Sequence, residues 1–145
     1  MKKVIKSSIW NISIFTFTLL GLILYIVNCD SIYFKKFGVN SKIIVFIVLA
    51  LVVEIALLTI NFIKENKLKN ILSDVISIII PIFIIIAIAY LLDARIYYVA
   101  TILTYEKTNQ NVSDLLPVLI SIGSLLISFI LSLILSFIMR KNTSN

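Results

Sequence analysis

Four long apolar runs decide what this chain can become. They cover about residues 9–27, 43–63, 75–103 and 115–139. Each is close to or beyond the roughly 20 residues that a helix needs to cross hydrocarbon. In lipid the backbone must satisfy itself, so only α-helices and closed barrels can span. Barrel strands alternate over about 10 residues, whereas these runs are longer and apolar on every side. The chain is therefore expected to be an all-α integral membrane protein, with residues 1–145 forming one four-span domain. The third span is expected to break near 93–95, where Asp93 and Arg95 interrupt the oil.

Composition supports lipid as the solvent. Hydrophobic residues make up 61% and charged residues 14%, where soluble domains carry about 45–50% and about 25%. A short globular chain cannot bury so much apolar surface in one core. Isoleucine dominates and lysine and asparagine are frequent, a pattern expected of an AT-rich bacterial genome.

The connections at 28–42, 64–74 and 104–114 are short, which makes neighbouring helices antiparallel. An up-down bundle is expected. Lys2, Lys3, Lys6, Lys64, Lys67, Lys69, Arg140 and Lys141 would share one side; Lys35, Lys36, Lys42, Arg95 and Lys107 would take the other. That bias predicts both termini in the cytoplasm of a cell-membrane protein. The first run is too long for the 7–15-residue apolar region of a signal peptide. The net charge of +6 sits beside the spans, so the expected partner is the lipid bilayer with its anionic headgroups. No nucleic-acid-binding motif is present, and none is expected as a partner.

There is no histidine and one cysteine, Cys29. No intramolecular disulfide can form, and neither a metal site nor a cofactor is expected. "IVNCD" resembles a bacterial lipobox but departs from it at Asn28, so Cys29 is expected as a buried or interfacial free thiol. Four-span families built on extracellular cysteine motifs, such as tetraspanins and claudins, are excluded. With no visible nucleophile–base pair, the chain is expected not to be an enzyme.

The informative residues are polar ones inside the oil. Glu54 lies near the middle of the second span. A charged carboxyl there costs about 2.5–3.5 kcal/mol on insertion scales, so a neutral, hydrogen-bonded group is expected. Ala50 and Asn61 fall within about 40° of it on a helical wheel. On the first span Asn11, Thr18, Gly21, Tyr25 and Asn28 share a stripe about 100° wide. Polar and small residues in membrane helices face the bundle interior, so these two faces are expected to meet. Glu54, Asn61, Asn11 and Thr18 form the candidate intramembrane site. It could handle a proton or cation, or it could pin helices together.

The third span carries a second group, Tyr90, Asp93, Arg95 and Tyr97. At this height tyrosines form an aromatic belt and arginine snorkels to headgroups. The functional alternative is the rim of an outward-facing site. Arg95 should stand about 15 Å from Glu54 along the membrane normal, too far for direct pairing.

The fourth span repeats serine at Ser121, Ser124, Ser128, Ser132 and Ser136. These fall on a stripe about 120° wide, expected to be a helix-packing seam of small residues. Facing inward, it would close the bundle; facing lipid, it would make a homodimer. Pro117 is expected in the first turn of this helix, capped by Ser113 or Asp114. Pro81 lies inside the third helix and should free the carbonyl of Ser77.

Three functions fit these residues. The first is a non-enzymatic accessory subunit or homo-oligomer that acts through intramembrane helix contacts with copies of itself or a larger membrane protein. The second is a small transporter or ion pathway centred on Glu54. The third is a bacteriocin-type immunity protein.

Overall fold

Sustained apolar runs produce four helices, with Pro81 and Pro117 accommodated inside the last two: α1 Lys2–Asp30, α2 Ser41–Asn61, α3 Lys67–Thr104 and α4 Asn109–Thr143. A single 3-10 turn, Lys35–Phe37, lies between α1 and α2. The computed structural model describes the backbone of residues 2–63 and 66–143 and the side chains of residues 8–63 and 66–138. The side chains of Lys2, Lys3, Lys6, Lys64, Arg140 and Lys141, on which the charge asymmetry chiefly rests, lie outside the described residues.

All four helices are long and apolar enough to cross a membrane. With 38 residues α3 is about 57 Å long, well beyond a hydrocarbon layer of about 30 Å. Side-chain caps set several helix starts. Asn40 Oδ1 accepts from Lys42 N at 3.1 Å, and Asn66 Oδ1 accepts from Lys67 N at 2.8 Å.

Two expectations about boundaries are corrected. First, α3 does not break at 93–95; it runs unbroken from Lys67 to Thr104. A charged side chain interrupts an apolar pattern without interrupting backbone hydrogen bonds, and Asp93 is simply exposed while Arg95 finds interior partners. Second, Pro117 is not in the first turn. Thr108 Oγ1 accepts from Asn111 N at 3.1 Å, so α4 starts at Asn109, two turns earlier.

α1 packs against α2 and α4, and α3 packs against the same two. The interior is unusual for a protein core. Asn11, Thr18, Asn28, Glu54, Arg95, Ser121, Ser128 and Ser132 are almost or wholly buried, while Ile12, Val45, Val52, Ile78, Leu116 and Ile130 are exposed. Polar groups turn in among buried Ile and Leu, and many branched aliphatics turn out, as suits a bundle surrounded by lipid.

Candidate functional site

Glu54 is the centre of the buried polar network. It is fully buried on α2, flanked by Leu51 and Leu57 on the same inward face. Thr18 of α1 donates its hydroxyl to Glu54 Oε1 at 2.9 Å. Asn11 Nδ2, two turns away on α1, donates to the backbone carbonyl of Glu54 at 3.1 Å. Ser128 of α4 lies 2.7 Å from Thr18 Oγ1. Three helices therefore meet at one carboxyl, and the α1 stripe and the α2 face are brought together.

The network is short of protons. Thr18 Oγ1 also lies 2.9 Å from the Ile14 carbonyl of its own helix, yet it has one proton to give. Glu54 Oε2 and Asn11 Oδ1 are buried and have no hydrogen-bond partner. Because a carbonyl can only accept, the bond to the Glu54 carbonyl places the NH2 of Asn11 there and leaves its oxygen unserved. Both orphans are acceptors. A proton on Glu54 turns Oε2 into a donor, the kind of group this cluster lacks.

Asn61 is buried on the same face of α2 but is not part of this cluster. Its carbonyl accepts from Lys69 Nζ at 3.2 Å, and its Nδ2 has no partner. It belongs to the α2–α3 end of the bundle, roughly 10 Å along the helix from Glu54.

The serine row points inward. Ser121 donates to the Gly21 carbonyl of α1 at 2.7 Å, and Ser128 reaches the Ile14 carbonyl at 3.3 Å. Ser124 and Ser132 bond to their own helix, at Ile120 O and Phe129 O. Ser136 donates to Ser77 O of α3 at 2.6 Å, closer than its 2.9 Å approach to Ser132 O. Ser77 O is the carbonyl that Pro81 deprives of its usual helical donor. The last serine of the row thus repairs the defect that the proline makes.

The supposed outer rim is split. Tyr97 is 72% exposed and Asp93 is exposed, while Tyr90 is half-buried and stacks on Phe46 at 5.7 Å. Arg95 does not snorkel; it is only 3% exposed. Its Nη2 donates to Cys29 Sγ and to Gly38 O, both at 3.2 Å. Its guanidinium stands over the rings of Phe34 and Tyr25, 5.0 and 5.8 Å from their centroids. On a helical wheel Arg95 lies roughly opposite Asp93, and angle alone does not tell which of the two faces the interior.

Sequence reasoning also underrated Asp114. Its Oδ2 accepts from Tyr33 N at 2.9 Å and its carbonyl accepts from Asn28 Nδ2 at 3.1 Å, so it ties α4 to the end of α1. Its position beside Pro117 had pointed to a local capping role instead. Among the described residues no three His, Cys, Asp or Glu side chains gather as metal ligands. Comparison with family models, curated proteins and solved structures returns no match.

Proposed function

We propose that this is a small, non-enzymatic, multi-pass protein of the cell membrane that takes up and releases a proton at Glu54 as part of a minimal ion or proton pathway. The bundle is up-down, with both termini cytoplasmic. One observation carries the reading: Glu54 Oε2 and Asn11 Oδ1 are buried acceptors without donors in a single cluster. A proton on Glu54, a small cation or an ordered water would serve them, and a structural clasp alone would be better built without such orphans. Thr18 and Ser128 extend the cluster from α1 to α4 through hydroxyls that can both give and accept.

The accessory-subunit reading keeps one point in its favour. Glu54 is sealed on every side, as suits a polar clasp that holds helices for contact with another membrane protein. The experiment separates the two. Glu54→Gln places a permanent amide donor where the acid proton would be. Purified wild-type protein in liposomes is expected to pass protons down an imposed gradient, and the variant to fold normally and pass none. Infrared spectroscopy should show a protonated-carboxyl band lost in the variant. No flux from the wild type, or equal flux from both, would refute the pathway and leave the clasp.

A further inference from the structure

A buried cation with no counter-ion among the described residues lies towards one end of the bundle, away from Glu54. Arg95 is the cation, and it lines a pocket of about 340 Å³ with Phe37, Gly38, Val39, Ala94 and Tyr98. We propose that this pocket binds a phosphate group, carried by a phospholipid or free in solution.

The first reason is charge. The partners of Arg95 are a thiol and a backbone carbonyl. No carboxylate among the described residues pairs with it. Asp93, two residues away on α3, is exposed on a different face. The Phe34 and Tyr25 rings spread the field of the cation but do not neutralise it. A buried charge is retained only where something compensates it.

The second reason is unused donors. Both hydrogen bonds leave from Nη2, and the buried Nε has no partner. Among the described residues nothing accepts from Nη1 either. Arginine donors match phosphate oxygens better than those of any other side chain.

The third reason is the surroundings. The N-terminus of α2 begins at Ser41, directly after the pocket segment Phe37–Asn40, and its dipole favours an anion. Lys36 adds a second cation: its Nζ lies 4.9 Å from the centroid of Phe37, a pocket wall. Phe37 and Tyr98 pack at 3.8 Å between centroids, which gives the pocket an apolar side suited to the glycerol or first methylenes of a lipid. The loop position of Phe37–Asn40, beyond the ends of α1 and α2, sets the pocket at headgroup height.

The test uses full-length protein in dodecyl maltoside, a detergent without phosphate. It is titrated with inorganic phosphate and, separately, with dioleoyl phosphatidylglycerol; thermal unfolding and native mass spectrometry read the binding. Saturable binding of either probe is expected. Ala94→Leu, which fills the pocket and leaves Arg95 in place, should weaken it at least about tenfold, as should Arg95→Gln. Binding of free phosphate identifies a soluble anion as sufficient; binding of the lipid alone identifies a headgroup site. If Arg95→Gln does not fold, Ala94→Leu decides. No binding of either probe to the wild type, or equal binding to wild type and Ala94→Leu, overturns the proposal.

Discussion

Gly21→Ala tests a close approach of α1 and α4. A Cβ added at Gly21 would lie 2.7 Å from Leu125 Cγ and 2.8 Å from Cδ2. Carbon atoms settle near 3.5–4.0 Å, so something must move by most of an ångström. Leu125 is fully buried and has little room to yield. Ser121 holds the same spot by donating to Gly21 O at 2.7 Å, so the helices cannot simply part without stretching that bond. Overpacking of this kind costs about 1–3 kcal/mol. Against it stands a helix-propensity gain from glycine to alanine of at most about 1 kcal/mol. The net expectation is destabilisation by up to about 2 kcal/mol.

The partner mutation sharpens this. In a Leu125→Ala background the clash is gone, and Gly21→Ala should become neutral or mildly stabilising. The coupling energy between the two sites should therefore be about 1–3 kcal/mol. Reversible unfolding in mixed SDS micelles can measure it, read by helical circular dichroism and by Trp10, the chain's single tryptophan. If Gly21→Ala has the same effect in both backgrounds, α1 and α4 do not meet at Gly21 and Leu125, and the packing described for this seam is wrong.

Two further outcomes follow from local geometry. Gly38 has φ 66° and ψ −170°, a region that only glycine occupies readily. Gly38→Ala should cost about 1–3 kcal/mol in the same unfolding assay and weaken phosphate binding by displacing the carbonyl that Arg95 holds; a neutral result would contradict the loop conformation. Ser121→Ala should cost up to about 1.7 kcal/mol because it breaks a bond between helices. Ser124→Ala should cost almost nothing, since Ser124 bonds to its own helix at Ile120 O; the reverse order would mean that the seam is turned.

Much of the polar interior was legible from periodicity. A helix repeats every 3.6 residues, so Asn11, Thr18, Tyr25 and Asn28 could be put on one face of α1 and the serines on one face of α4 before any contact was known. The expectation that Pro81 leaves Ser77 O without a donor is likewise pure covalent chemistry. What took up that carbonyl was not legible, because Ser136 is 59 residues away and only helix packing brings it there. The start of α4 was misread because Asn109–Ser113 is polar, and a polar stretch can continue a helix once Thr108 caps it. Asn61 shared an angle with Glu54 but not a height in the bundle, and angle alone does not define a site.

By itself, then, the sequence determined the class of solvent, the number of helices long enough to cross a membrane and the polar faces by which α1 and α2 turn inward. Those follow from hydrophobicity, length and angular repeat, which are properties of single segments. Tertiary structure decided which inward faces touch. It made Glu54 a three-helix junction with too few protons, used up the serine row inside the chain, and moved Arg95 from an exposed rim to a buried cation. Such outcomes depend on the relative height and rotation of four helices, and no one helix encodes them.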